Sequence, residues 1–89
     1  MPRKKKNMNV KPRIPLPEAL NNEPKIEMLG NREIIVDGAK GVVEYGENLI
    51  KLNTVEYVLF ILGDELVIKS FDGSVAVVSG KIAEITFVS

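Results

Sequence analysis

"PKIEMLGNREIIVDG", residues 24–38, separates two parts of the chain that differ in character. It contains the last of the five prolines and the first two of the seven glycines. Prolines remove backbone hydrogen-bond donors and push the preceding residue toward extended conformations. Short alternating segments rich in β-branched residues, such as "REIIVD", are typical of strands. The stretch therefore predicts that an irregular leader ends at Pro24 and that a β domain begins at Lys25.

Strand-like segments recur from this boundary to the C terminus, about every 7–10 residues. There are eight of them: "KIEML", "REIIVDG", "KGVVEYG", "NLIKLNT", "EYVLFILG", "ELVIKS", "SVAVVSG" and "IAEITFV". Asp-Gly favours the positive φ values of tight turns, so Asp37-Gly38 and Asp72-Gly73 are predicted to form two-residue hairpins. Connections as short as these favour antiparallel pairing.

The predicted fold class is all-β, a small antiparallel sandwich or barrel of about 7–8 short strands over residues 25–89. A β-solenoid-like stack is the alternative, ranked lower because no side-chain motif recurs at a fixed period. A shared alternation predicts which side chains point inward: Ile26, Met28, Ile34, Val36, Val43, Tyr45, Ile50, Leu52, Phe60, Ile68, Val77 and Ile85.

Residues 1–24 form a basic, proline-rich leader that is predicted to be disordered. The formal net charge is zero, but the charges are unevenly distributed along the chain. Residues 1–13 carry six basic and no acidic residues, whereas residues 14–89 carry six basic and twelve acidic ones. Proline at a first helical position predicts a single helical turn near residues 17–21. The apolar leader residues are expected to dock on the β domain: Ile14, Leu16 and Leu20.

The basic residues of the leader form a candidate site for docking to an anionic membrane or to a partner protein: Arg3, Lys4, Lys5, Lys6, Lys11 and Arg13. Each such residue contributes roughly 1 kcal/mol near an anionic membrane, so this cluster supports recruitment but not anchoring. Two alternatives stay open: a solubilising tail that folds back on the acidic domain, and a small nucleic-acid-binding module. The leader has no aromatic residue to stack on bases.

The composition argues against an enzyme. The sequence has no histidine and no cysteine, which excludes histidine general bases, nucleophile–histidine pairs, thiolate nucleophiles and the commonest metal ligands. Its carboxylates lie beside glycines or alternate with apolar residues, positions typical of turns and solvated strand faces. No catalytic residue, metal or cofactor is predicted. Without a signal peptide or an apolar run of spanning length, the expected location is cytoplasmic.

"VEYVLFILG", residues 55–63, departs from the alternation of a half-exposed strand. Both faces of this segment are apolar, which indicates either a central strand covered on both sides or an exposed face that binds a partner or a second copy. The candidate apolar interface consists of Tyr57, Val58, Leu59, Phe60 and Leu62.

The order and spacing of "LPEAL", "PKIEMLGN", "GVVEY", "LVIK" and "SGKIAEITF" resemble the YabP/YqfC family of bacterial sporulation proteins, and the leader is most similar to its YqfC branch. The resemblance covers the chain after residue 13, and "TVEYVLFILG" departs from the family's pattern. It implies a non-enzymatic protein of endospore-forming Firmicutes, made in the mother cell. It also implies a membrane partner resembling YqfD and a peripheral position at the forespore outer membrane. The family supplies no catalytic residues.

Overall fold

The computed structural model describes residues 23–89 of the chain. The predictions for the leader residues before Glu23, including the helical turn and the docking of Ile14, Leu16 and Leu20, lie outside this range. Six strands form within it: β1 (Lys25–Leu29), β2 (Glu33–Asp37), β3 (Gly41–Tyr45), β4 (Leu49–Asn53), β5 (Val58–Asp72) and β6 (Val75–Val88). They make one open sheet in the order β1-β2-β6-β5-β4-β3, with every neighbouring pair antiparallel.

The all-β, antiparallel prediction is confirmed for residues 23–89, but six strands replace the expected seven to eight. The difference arises at Gly63 and Gly80, which were predicted to separate strands. Each glycine instead lies inside a long strand, because the partner strand continues past it and the ladder resumes after an irregularity in register. Parallel rungs of a solenoid are not present in this part of the chain, since its strand pairs are all antiparallel.

The sheet folds over itself, because its connections leave no other solution. β2 and β3 lie four strand spacings apart in the sheet order, about 19 Å if the sheet were flat. Residues 38–40 alone join them, and a link of this length spans at most about 14 Å. The backbone N–H of Lys40 donates to the carbonyl of Asn53, while those of Gly38 and Ala39 donate to the carbonyl of Ser74. Asp37-Gly38 is therefore a crossover, and its prediction as a hairpin turn is wrong.

The folded sheet has two four-stranded layers that share the β5–β6 hairpin. Layer 1 contains β1, β2, residues 75–79 of β6 and residues 67–72 of β5; layer 2 contains β3, β4, residues 58–62 of β5 and residues 82–88 of β6. At the hairpin tip Gly73 has φ +64°, and the two-residue loop is Gly73-Ser74, one residue later than predicted. The positive φ at the first loop residue matches a type II′ turn.

One hydrophobic core lies between the two layers and takes side chains from both. Its buried members are Ile34, Val36, Ala39, Ile50, Leu52, Leu59, Ile61, Leu66, Ala76, Val78 and Ile82. A single-layer sheet exposes both faces to water, so complete burial of residues from β2, β4, β5 and β6 requires the two layers to cover each other. Tyr45 adds a polar link, because its phenolic oxygen accepts a hydrogen bond of 3.3 Å from the backbone N–H of Ile68 in the other layer.

The inward-pointing prediction is confirmed for Ile34, Val36, Ile50 and Leu52, which are buried, and for Ile26, Ile68 and Ile85, which pack against the core. The other five positions are not buried. Met28 and Tyr45 lie opposite the buried Ile34 and Ile50, on the core side, but they are exposed because β1 and β3 are the outermost strands of the sheet. The prediction is wrong for Val43, which is exposed as the extra residue at a β-bulge, and for two further residues. Phe60 and Val77 lie on the outer faces, one residue away from the buried Leu59 and Val78.

The two layers repeat one motif, which the absence of a fixed sequence period concealed. The β3–β4 hairpin repeats the β1–β2 hairpin 16 residues later in the chain. The first part of β6, from Val75 to Gly80, repeats the first part of β5, from Val58 to Gly63, 17 residues later. In layer 2, the N–H of Gly63 donates to Asn48 and that of Leu66 to Glu47. In layer 1, Gly80 donates to Arg32 and Ile82 to Asn31 in the same arrangement.

The shared hairpin bends where the two glycines lie, and the backbones approach each other closely there. A Cβ atom placed on Gly63 would collide with the carbonyl oxygen of Lys81, and one on Gly80 would lie 2.6 Å from the carbonyl oxygen of Glu65. Gly80 also has φ +141°, a conformation that L side chains rarely adopt. The two contacts are related by the same internal repeat, so glycine is required once in each half of the bend.

Candidate functional site

The basic leader residues proposed for membrane or partner docking lie outside residues 23–89: Arg3, Lys4, Lys5, Lys6, Lys11 and Arg13. The structure therefore leaves that prediction untested. In residues 23–89, eleven acidic side chains outnumber six basic ones. Opposite charges on leader and domain favour their contact at low salt.

The described residues bring together no group of three Asp or Glu side chains that could hold a metal ion. Within the same range, no helix is long and apolar enough to cross a membrane.

The candidate apolar interface divides between the two sides of β5. Leu59 is fully buried in the core and is unavailable to a partner. Val58, Phe60 and Leu62 lie together on the opposite face of layer 2, each partly exposed, and we call these three residues the outer patch. Leu59 lies on the core side because adjacent strand residues point to opposite sides of the sheet, and the interface itself stays a prediction.

Charged neighbours cover part of the outer patch. Lys51 lies directly opposite Phe60 across the β4–β5 ladder, and its Nζ is 4.6 Å from the ring centroid, within the range of a cation–π interaction. The same Nζ is 3.0 Å from Oε1 of Glu44 on β3. Glu44 on β3, Lys51 on β4 and Phe60 on β5 thus form a row of an acid, a base and an aromatic ring across three strands. Only the strand register places these residues together, and the sequence pattern does not specify that register.

A second aromatic surface lies at the end of layer 2, where β5 begins and β6 ends. The rings of Tyr57 and Phe87 meet edge to face, with centroids 4.9 Å apart and an interplanar angle of 85°. Phe87 lies opposite the buried Leu59, on the core-facing side, yet 58% of it is exposed. Val55, two residues before Tyr57, is exposed to the same extent. We call Val55, Tyr57 and Phe87 the aromatic end.

Thr54 holds Tyr57 in place. Its hydroxyl accepts hydrogen bonds from the N–H groups of Glu56 and Tyr57, at 3.2 and 3.0 Å, and donates to the carbonyl of Tyr57 at 2.8 Å. The backbone N–H of Thr54 also donates to that carbonyl. Thr54 is the one buried polar side chain among residues 23–89, and these bonds satisfy it while closing the turn between β4 and β5. Tyr57 precedes β5, so it belongs to this turn and not to the strand predicted from sequence.

The environment of Tyr57 raises the pKa of its phenol above the ordinary value of 10.0, first through burial and then through the nearby charges of Glu56 and Glu23. Each effect disfavours the phenolate, so the folded protein binds the phenolic proton more tightly than the unfolded chain does. This stabilisation is complete below pH 10 and is lost as the pH rises through the folded-state pKa. We therefore expect the melting temperature to fall more steeply with alkaline pH in the parent than in Tyr57→Phe.

Thermal melts followed by circular dichroism at a series of pH values between about 8 and 12 measure this difference. Tyr45→Phe is the control, since it leaves Tyr57 in place and should keep the parent's alkaline slope. Identical slopes for the parent and Tyr57→Phe would show that Tyr57 does not contribute.

An open groove of about 560 Å³ lies beside the aromatic end. It is formed where the chain enters β1, where the crossover leaves β2, and at the tip of the shared hairpin, and its lining is Glu23, Lys25, Asp37, Gly38, Lys40, Val55 and Ser74. Two acidic and two basic residues contribute to this lining. The groove was not foreseen from the sequence, because residues distant in the chain meet there only after the sheet has folded over.

Comparison with known proteins gives one positive result. The model of a family described as the YabP family matches residues 21–89. No curated protein and no solved structure has significant similarity to the chain. The matched range includes all six strands, the outer patch and the aromatic end.

Proposed function

Because this chain belongs to the YabP family, we propose that it is a non-enzymatic sporulation protein, a structural or adaptor component made in the mother cell of an endospore-forming bacterium. The family match over residues 21–89 carries the proposal, since it spans the whole β domain and the family resemblance of the sequence motifs implies a role in spore development. The leader motif "LPEAL" supports assignment to the YqfC branch.

The chemistry of the domain supports binding and not turnover. The sequence has no histidine or cysteine, and the three ion pairs of the described residues all lie on the surface, two of them with nitrogen–oxygen distances of 3.8 Å. The surface features with distinct chemistry are apolar and aromatic, namely the outer patch and the aromatic end. Surfaces of this kind recognise other proteins.

The proposed partner is a YqfD-like membrane protein, and the proposed location is the mother-cell side of the forespore outer membrane. The basic leader supports this position, because four consecutive residues, Arg3 to Lys6, carry positive charge next to a cytoplasmic membrane surface that is negative. That attraction alone gives weak recruitment, so a protein contact is needed in addition.

The proposal predicts a localisation that depends on the membrane partner. In sporulating cells, a fluorescent fusion of the chain should accumulate at the forespore periphery on the mother-cell side. It should become diffuse when the YqfD-like gene is deleted. Replacement of Arg3, Lys4, Lys5 and Lys6 by Gln should weaken the accumulation by much more than tenfold, because roughly 1 kcal/mol is lost per charge and about 4 kcal/mol in all. Fluorescence microscopy with quantified boundary signal provides the measurement.

A control with the same loss of charge carries the exchanges Lys25→Gln, Lys40→Gln, Lys69→Gln and Lys81→Gln, all on the exposed domain surface. This control should localise like the parent. Diffuse signal in all strains, together with micromolar duplex binding that collapses as the salt concentration rises, would instead identify the chain as a nucleic-acid-binding module.

A further inference from the structure

The aromatic end lacks the cover that its position in the sandwich requires. Phe87 points to the core side, opposite Leu59, and Ile85 two residues earlier packs against the core on that side. Side chains on the core side of a sandwich are normally enclosed by the second sheet. Residues 23–89 leave 58% of Phe87 and 58% of Val55 exposed, so this end of the core is open within them.

The chain enters the domain beside this opening. Glu23 and Lys25 line the same groove as Val55. Pro24 lies against the crossover, since a Cβ atom on Gly38 would be 3.0 Å from its Cα. The charge of Glu23 is also close enough to Tyr57 to raise the pKa of that phenol. The segment that precedes Glu23 therefore begins next to the exposed Val55 and the Tyr57–Phe87 pair.

That segment has the length and the chemistry to fill the opening. Its sequence, "IPLPEALNN" from Ile14 to Asn22, carries three large aliphatic side chains. An extended chain reaches at most about 3.3–3.6 Å per residue, so the linking chain allows at most about 11 Å between Leu20 and Glu23 and about 25 Å between Leu16 and Glu23. Pro15 and Pro17 restrict the free chain, which lowers the entropy lost when the segment becomes ordered.

We propose that residues Ile14 to Leu20 fold back on the aromatic end of their own chain, so that Leu16 and Leu20 cover Val55 and Phe87. Opposite charges on the leader and on the domain also favour this contact. Lys11 and Arg13 stand just before the apolar segment, and the exposed carboxylates Glu23 and Glu56 stand beside the aromatic end. This closure does not depend on the proposed role in sporulation.

The absence of cysteine from the chain makes a site-specific test straightforward. Val55→Cys and Val43→Cys are matched probes, because both residues are valines and each is 58% exposed. Val43 lies on the outermost strand β3, three strands from Phe87 on β6. In the full-length chain, alkylation by a maleimide should be at least tenfold slower at Cys introduced at position 55 than at position 43, because the leader segment covers the former.

Adding Leu16→Asp and Leu20→Asp to each probe separates the explanations. The two exchanges should raise the alkylation rate at position 55 to that at position 43, with no change at position 43 and no loss of the folded circular dichroism spectrum. Equal rates at both positions before these exchanges would overturn the proposal. Protection that weakens on dilution would also overturn it, since a second copy and not the chain's own leader would then cover the aromatic end.

Discussion

Gly80→Ala should strongly destabilise the domain. The added methyl group would lie 2.6 Å from the carbonyl oxygen of Glu65 and 2.9 Å from the Cα of Leu66, and both are backbone atoms that cannot rotate away. Extra methylenes in packed cores cost about 1–3 kcal/mol even where side chains can adjust. The φ of +141°, which is strained for alanine, adds to this cost. We therefore expect the free energy of unfolding to fall by more than about 3 kcal/mol.

That loss is large for a domain of this size, because the 67 residues from 23 to 89 are expected to have a free energy of unfolding of about 3–10 kcal/mol. Gly63→Ala should act similarly, since it meets the carbonyl of Lys81 through the equivalent contact. Denaturant unfolding followed by circular dichroism measures both variants. Gly41→Ala is the control: nothing lies within 4 Å of its added Cβ, so it should match the parent within about 1 kcal/mol.

A Gly80→Ala variant as stable as Gly41→Ala would show that the two strands of the shared hairpin do not approach each other as closely as described.

Leu59→Asp should unfold the protein, whereas Phe60→Asp should leave it folded. Leu59 is fully buried between the layers, so a carboxylate there would lose its hydration without gaining a partner. Phe60 faces outward, and an aspartate at that position would lie opposite Lys51, a favourable pair. We expect Phe60→Asp to cost about 1–2 kcal/mol, chiefly the partial burial of the ring.

Thermal melting together with light scattering distinguishes the roles of the two faces. If the outer patch binds a second copy, the parent should associate, and Phe60→Asp should stay folded but no longer associate. Thr86→Asp, opposite Phe60 on β6, is a matched control for placing a carboxylate on this face. Unfolding of Phe60→Asp, with Leu59→Asp folded, would mean that the register of β5 is reversed.

The fold class could be predicted because local chemistry determined it. The β-branched segments and the turn residues mark most of the strands, and short connections dictate antiparallel pairing. The two layers could not be predicted in the same way. Gly63 and Gly80 look like strand ends in sequence, and only pairing with the opposite strand shows that the ladder continues through them.

The candidate site was predicted in part, for a related reason. From Val58 to Leu62 every residue is apolar, so alternation cannot decide which side faces the core, and Leu59 was grouped with Phe60. The decision comes from neighbouring strands: Leu52 lies opposite Leu59, whereas Lys51 lies opposite Phe60. Phe87 was not foreseen as a partner of Tyr57, because only the pairing of β5 with β6 brings the two rings together.

The shared hairpin makes the two layers a single cooperative unit. β5 and β6 each give one end to layer 1 and the other to layer 2, so neither layer can lose its ladder without breaking strands that the other one needs. Partial unfolding of one half would leave Leu59 and Ile61, or Ala76 and Val78, without cover. Although the motif is duplicated, its two copies cannot be cut apart into stable halves, and the repeat functions as one indivisible folding unit.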